Sequence, residues 1–545
     1  MTVKPLVGAM FALAMASSLS VQAATEKPNI LLILADDLGY SDLGSFGGEI
    51  ETPSIDSLAD EGLKLTNMYA AASCSPTRSM LMSGTDNHLA GLGTMAEALP
   101  HEPFHQGKPG YEGYLNEKAH SLAELLQDAG YSTNMVGKWH LGMGADQGPD
   151  ARGFERSFAL FEGGAVHFKP NTTNPARLDQ VTYRENGQSV ELPDDFYSTD
   201  FYTDKLIDYL KANEGSGKPF FAYAAYTSPH WPLQAPDAYL DKYKGVYDGG
   251  YAEVRDARIE RMKELGLYPE DMQPANRIPG NPKLPQWEQL DEEQRQYQAR
   301  LMEIYAAMVD NLDDNVGRLI DYLKESGQYD NTMIVFLSDN GASGDNHTRF
   351  YPHGPDTDNS YANLGRENSQ VDYGIRWAEV SSGPLNKFKI TSFEGGISVP
   401  AIVRLPEGIS RTGLVNTRMR VDDLSPTFLE LSGTPLPGDS YKGQTKHPIT
   451  GQSMLSALLG EADAAGAKSE MAGELFGNLY YHEGDLKLVG YTDRQSKQMR
   501  WELYDLSVDR GETHDLAASQ PETLERLKQA WAEYAERVGV VRRPE

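Results

Sequence analysis

Cys74 and Arg78 stand four residues apart in the run Cys74-Ser75-Pro76-Thr77-Arg78-Ser79-Met80-Leu81-Met82-Ser83-Gly84. A proline in the first turn and a glycine just past the end delimit a short helix, so the run predicts one that begins at Cys74. A helix N-terminus offers unpaired N–H groups and the positive end of the dipole, and both suit an anion. Arg78, one turn along the same face, can reach back toward Cys74. A thiolate nucleophile is one chemistry open to such a cysteine. A small buried core residue is the commoner role of a lone cysteine.

Asp36-Asp37 and Asp339-Asn340 bring three carboxylates and an amide oxygen. That donor set suits a hard divalent cation, Ca²⁺ or Mg²⁺ rather than Zn²⁺. Either pair alone reads as a turn or a helix cap. Two such pairs at strand ends make the cation reading as strong as the bland one. Lys138-Trp139-His140 and Ser228-Pro229-His230 add titratable groups that, taken singly, could be solvated loop residues or strand-end caps.

Four short apolar runs precede these clusters. Residues 29–35 lead into Asp36-Asp37, 131–136 into Gly137-Lys138, 220–226 into Thr227-Ser228, and 332–337 into Ser338-Asp339. The first and last are almost wholly aliphatic, as strands covered on both faces are. Between them lie helical patterns. Residues 119–129 carry Leu122, Leu125 and Leu126 on one face before Gly130. Residues 302–323 place Met302, Tyr305, Met308, Leu312, Val316, Leu319 and Leu323 at three-to-four spacing before Gly327. Alternating strand and helix patterns predict an α/β fold, a large mostly parallel (mixed) sheet with helices on both faces. Ligands in such sheets gather beyond the carboxyl ends of the strands, where all four clusters fall. After an Ala/Gly-rich stretch at 461–469, strand-like segments at 474–482, 485–491 and 500–506 and a charged helix at 521–538 predict a small antiparallel sheet with one helix. The polar stretch 341–366 reads as a long substrate-covering loop.

The 545 residues carry a formal charge of −30. That balance excludes nucleic acid as a partner class. It does not exclude an anionic substrate, because salt screens charges beyond roughly 8–10 Å and a few local cations can dominate a site. Lys4, the apolar segment 6–19 and Val21-Gln22-Ala23 form a signal-peptide pattern, so the mature chain is expected to start at Ala24 with a charge of −31 once Lys4 is lost. No other segment is long and apolar enough for a membrane anchor. One cysteine in an exported chain means that disulfides do not stabilise it.

Cys-x-Pro-x-Arg opening a helix resembles the signature of the type I sulfatases of the alkaline-phosphatase-like superfamily, and Gly130 to His140 resembles their second signature. Leu34-Ala35-Asp36-Asp37, Ser228-Pro229-His230, Ser338-Asp339-Asn340-Gly341 and Lys389-x4-Glu394-Gly395-Gly396 match the remaining elements in order. The likeness is greatest to bacterial arylsulfatases, through Pro-His-Trp-Pro-Leu-Gln-Ala-Pro at 229–236 and the region of Asp358-Asn359-Ser360. Ser83 departs from the commoner threonine, and Lys387 is a neighbouring alternative to Lys389.

The resemblance implies hydrolysis of a small-molecule sulfate ester by a hydrated Cα-formylglycine made from Cys74 by a formylglycine-generating enzyme, before passage through export machinery to the periplasm or medium. It implies one Ca²⁺ held by Asp36, Asp37, Asp339 and Asn340. Arg78, Lys138 and Lys389 would hold the sulfate and the diol, with Asp339 helping to deprotonate the attacking hydroxyl. His230, aided by Lys389, would protonate the leaving oxygen, and His140 would regenerate the aldehyde. The expected organisation is a signal peptide at 1–23, a catalytic domain at 24–465 and a small α+β domain at 466–545. A phosphonate or phosphate-ester hydrolase of the same superfamily is the nearest rival, and a non-catalytic protein that captures sulfated ligands is another. His88, His347 and His353 read as structural.

Overall fold

The computed structural model describes residues 27–169, 181–344, 357–461, 470–493 and 496–543. The signal-peptide pattern, most of the 461–469 linker and the middle of the 341–366 loop lie outside the described residues.

The first apolar run forms β1 (Asn29–Ala35), buried along its whole length. Its side chains alternate between two cores. Leu31 and Ile33 face one cluster and Ile30, Leu32 and Leu34 the other, as the two-residue period of a strand requires. Further strands follow as β2 (Leu63–Tyr69), β3 (Ser132–Lys138), β4 (Arg156–Leu160), β5 (Tyr183–Glu185), β6 (Gln188–Ser189), β7 (Phe220–Ala225), β8 (Thr332–Ser338), β9 (Ser398–Arg404), β10 (Gly413–Val415) and β11 (Met419–Arg420). They make one eleven-stranded sheet in the order β10-β2-β9-β8-β1-β7-β3-β4-β5-β6, with β11 beside β2. The centre, β8-β1-β7-β3-β4, is parallel. β9 runs antiparallel to both of its neighbours, and β5 and β6 close one edge as a hairpin. The sheet is therefore mixed, with helices on both faces.

The long helix Glu292–Glu325 packs its apolar stripe on one face. Cys74–Ser83, Leu122–Asp128 and Leu424–Leu431 cover the other. Two predicted helices differ in length. Periodicity placed one at 302–323, but the helix begins ten residues earlier, where the capping box of Asp291 and Gln294 starts it and the exposed first turns carry no apolar stripe. The 119–129 pattern contracts to Leu122–Asp128.

A two-residue hairpin, β12 (Ser440–Tyr441) and β13 (Gln444–Thr445), precedes the C-terminal sheet. That sheet is a meander of β14 (Glu470–Leu475), β15 (Asn478–Glu483), β16 (Leu486–Thr492) and β17 (Met499–Asp505). The single stretch expected at 474–482 is split by Phe476 and Gly477, whose φ values of 54° and 79° make a tight hairpin turn. The helix Pro521–Val538 lays Leu527, Trp531 and Tyr534 against this sheet. Lys487 on β16 joins it to the segment leading into β9 by a fully buried ion pair to Glu394 (2.9 Å), and it also pairs with buried Glu512 after β17 (2.8 Å). Among the described residues no helix is long and apolar enough to cross a membrane.

Candidate active site

The register of the central strands collects the polar clusters. Ala35 pairs with Ser338, so Asp36 and Asp339 leave the sheet side by side. Asp36 N–H donates to Ser228 O and Asp339 N–H to Ala35 O, each at 3.1 Å, which ties the ends of β1, β7 and β8 together. Lys138 closes β3, two strands from β8's neighbour β1. Gly137 before it has φ 95°, and a Cβ there would sit 1.9 Å from Ala225 O, so only glycine lets β3 and β7 approach this closely. Asp37 and His140 hold left-handed φ values of 66° and 56°. Such conformations cost of order 1–3 kcal/mol in non-glycine residues and gather at functional sites.

The predicted helix begins at Cys74, ends at Gly84 in the left-handed region, and is buried at all ten positions. Cys74 Sγ lies 3.3 Å from Lys389 Nζ, 3.5 Å from Asp36 Oδ1 and 3.9 Å from Asp37 Oδ1. Burial and the nearby Asp339 carboxylate push its thiol well above the ordinary range. Arg78 grips Asp339 Oδ2 through Nε (3.0 Å) and Nη2 (2.7 Å) and donates from Nη1 to Lys138 O (2.9 Å). Lys138 Nζ reaches Asp36 Oδ2 and Lys389 Nζ reaches Asp37 Oδ1, both at 2.7 Å. Lys387, the rival position, is only half-buried and turned aside with φ 62°.

Three buried carboxylates thus face three buried cations. Burial works to raise the Asp37 carboxyl, yet Lys389, His230 and Lys138 hold it well below its usual range. Burial and Asp36 raise the Asp339 carboxyl, against Arg78. Asp37 Oδ2 and Asn340 Oδ1 are buried and accept no hydrogen bond. Orphaned buried oxygens carry a desolvation penalty of about 1–3 kcal/mol each, and a hard cation is the partner such oxygens suit. Asp36, Asp37, Cys74 and His230 present potential ligand atoms within 4.8 Å of one another. Asp339 is engaged instead by Arg78 through Oδ2 and by the Asp37 N–H through Oδ1 (3.2 Å). Asp36, Asp37, Asp339 and Asn340 still offer an oxygen donor set at the paired ends of β1 and β8, and its chemistry suits a divalent cation.

The two histidines flank this cluster. His230 Nδ1 donates to Trp231 O (2.6 Å), and Nε2 lies 3.5 Å from Asp37 Oδ2. A carbonyl only accepts, so Nδ1 carries a hydrogen and Nε2 is the exchangeable position. Burial pushes the His230 imidazole well down, with Asp37 opposing. His140 is nearly buried, and its Nε2 bonds Glu97 Oε1 at 2.9 Å. Burial opposes the Glu97 charge, and the His140 imidazole overrides it to hold the carboxyl low.

Four neighbours escaped sequence reasoning. Glu97 sits in an irregular loop. His167, whose Nε2 donates to His230 O (2.9 Å), lies beyond β4. Gly163 and Gly164 lie just past β4, after Phe161 and Glu162, and a Cβ on Gly163 would come 2.5 Å from His140 Cε1. No local pattern marks them, although the glycine pair after a strand was a usable signal of close backbone approach.

The sequence profile of the Sulfatase family matches residues 28–434. The chain belongs to the sulfatase family. This sulfatase is 44% identical over 537 residues to an uncharacterized sulfatase of Schizosaccharomyces pombe, covering 96% of each chain. It is 40% identical over 439 residues to the arylsulfatase of Klebsiella aerogenes, covering 78% of this chain and 90% of that one. Among solved structures, that of Ps i-CgsB in complex with k-i-k-neocarrahexaose superposes with a TM-score of 0.65 at 24% identity over 93% of each chain. That likeness shows the alkaline-phosphatase-like fold. The coarse activity is hydrolysis of sulfate esters.

Proposed function

We propose that this sulfatase hydrolyses aryl sulfates, with residue 74 as nucleophile after conversion of Cys74 to Cα-formylglycine, and with one bound Ca²⁺. The observation that carries the reading is the position of Cys74 at the buried start of its helix, with Lys389 at 3.3 Å and Asp36 and Asp37 within 3.9 Å. The name of the Klebsiella aerogenes relative supports aryl specificity. Asp36, Asp37, Asp339 and Asn340 would hold Ca²⁺, which would supply Lewis-acid stabilisation of negative charge at the site. The hydrated aldehyde supplies one hydroxyl to attack sulfur and a second that lets sulfate depart, which a serine or cysteine ester lacks.

The chain's own residues do the rest. Arg78, Lys138 and Lys389 fix the sulfate in a water-poor setting where fixed charges act strongly. Asp339, beside the nucleophile, accepts its proton. His230, once protonated on both nitrogens beside Asp37, would deliver the Nε2 proton to the departing phenolate, because Nδ1 is committed to Trp231 O. His140 takes a proton in the second half of the cycle.

The fuller reading includes maturation by a formylglycine-generating enzyme, export to the periplasm or medium with loss of residues 1–23, and a division into a catalytic domain 24–465 and a small domain 466–545. The test is release of sulfate from 4-nitrophenyl sulfate by the purified chain beside its Cys74→Ala variant. Steady turnover in the wild type and none in the variant is expected. Equal turnover in both, or faster cleavage of the matching phosphonate monoester, would overturn the reading.

A further inference from the structure

Glu97 belongs to none of the motifs that define the site, and its side chain is 38% exposed, yet among the described residues it is the hydrogen-bond partner of the His140 ring. A carboxylate oxygen carries no hydrogen of its own when ionised, so the His140 nitrogen that meets it must be an N–H. The neutral imidazole has one N–H and one lone pair, and the lone pair is therefore on Nδ1. His140 Nδ1 is buried and has no hydrogen-bond partner among the described residues. The ring has little freedom to turn. A Cβ on Gly163 would lie 2.5 Å from Cε1, 2.6 Å from Nε2 and 3.2 Å from Glu97 Oε1, so the chain runs hard against the paired edge. The left-handed backbone of His140 aims the ring into this slot from the end of β3.

We propose that Glu97 is the positioning residue that fixes His140 as its Nε2–H tautomer and so makes Nδ1 the base that releases sulfate. The inference rests on the reading of residue 74 given above. In the step concerned, Nδ1 takes the proton from the free hydroxyl on the residue 74 carbon. The O–H electron pair becomes the second bond of the carbonyl. The carbon–oxygen bond to sulfate breaks, and its pair leaves with the sulfate oxygen. His140 then holds a proton on each nitrogen, and the Glu97 carboxylate stabilises that cation through Nε2–H until water removes the proton from Nδ1. Without Glu97 the imidazole is free to place its hydrogen on Nδ1, where it cannot act as a base.

Two measurements test this. The first is ¹⁵N spectroscopy of metal-loaded Cys74→Ala protein, which cannot be modified, with the His140 signal assigned by its loss in a further His140→Gln substitution. An Nε2–H tautomer is expected, shifting toward a mixture on Glu97→Ala, and an Nδ1–H tautomer with Glu97 intact overturns the inference. The second is kinetics of Glu97→Ala, Glu97→Gln and Glu97→Asp with intact-mass analysis during turnover. In the Ala and Gln variants kcat is expected to fall on the order of 10²–10⁴-fold, the range a positioned base contributes. KM should fall in parallel, so that kcat/KM is kept, and a sulfo group should accumulate on residue 74. Glu97→Asp should recover much of the rate. A merely structural role would lower kcat/KM and trap nothing. If His140→Ala traps sulfate and the Glu97 variants do not, the role of Glu97 is refuted alone. If His140→Ala also traps none, the reading of residue 74 is what fails.

Discussion

Raising the pH should weaken the junction between the two sheets through one buried histidine. His88 is fully buried, with Nδ1 3.3 Å from Asp86 Oδ1 and Nε2 3.3 Å from Glu474 Oε2 on β14. Tyr534 of the C-terminal helix donates to Asp86 Oδ2 (2.9 Å), Arg420 approaches that oxygen at 3.7 Å, and Tyr111 packs edge-on against the ring. Burial alone would lower the His88 pKa, but the bonds to Asp86 and Glu474 raise it from 6.5 to about 9. A histidine whose folded pKa is raised contributes stability that is fully present below about 6.5 and is lost as pH climbs through about 9. At about 1.4 kcal/mol per pH unit, that gap amounts to about 3 kcal/mol. The assay is denaturant unfolding at constant ionic strength from pH 6.5 to 9.5 for wild type and His88→Gln, taking the difference so that other titrating groups cancel. The wild type should lose about 3 kcal/mol more than the variant across that interval, at a near-constant slope between about pH 6.5 and 9. Parallel curves would refute the charged, doubly paired state of His88.

Three further outcomes follow from the same geometry. Asp37→Ala removes the carboxylate that bears an orphaned oxygen at the cation site, and should abolish bound Ca²⁺ by elemental analysis with a loss of about 100-fold or more in turnover. Full activity in metal-free protein contradicts this. His230→Ala should leave nitrophenyl sulfate turnover largely intact but lose on the order of 10²–10⁴-fold on sulfates of unactivated alcohols, which need a proton as they leave. A leaving-group series that gives equal losses counts against it. Lys487→Met leaves Glu394 and Glu512 buried without their shared cation, and should cost about 3–5 kcal/mol in chemical denaturation. An unchanged midpoint would show that this buried pair does not tie the sheets together.

The parts of the fold legible in the sequence were those that bury themselves by local pattern. The almost wholly aliphatic β1 and β8 read as strands covered on both faces, and their parallel pairing brings Asp36-Asp37 beside Asp339-Asn340. The helix at Cys74 was legible because Pro76 and Gly84 punctuate it. What stayed hidden was set by distant partners. β5, β6, β10 and β11 are strands of two or three residues at the two ends of the sheet, held by their neighbours rather than by their own pattern. The start of the long helix is polar, so only its capping box announces it. Glu97 and His167 reach the site through tertiary contacts with His140 and the His230 carbonyl, and nothing in their own flanks foretells that. Lys389 could be separated from Lys387 only when the loop was seen to deliver one of them to Cys74.

The account stands on the chemical identity of residue 74 in working enzyme. Peptide mass spectrometry of protein that turns over 4-nitrophenyl sulfate, with hydrazide labelling of the same digest, reads that identity directly. The account predicts an aldehyde at position 74, seen as a mass deficit relative to cysteine and as a hydrazone, in proportion to specific activity. Fully active protein that carries only a free thiol at Cys74 would contradict it.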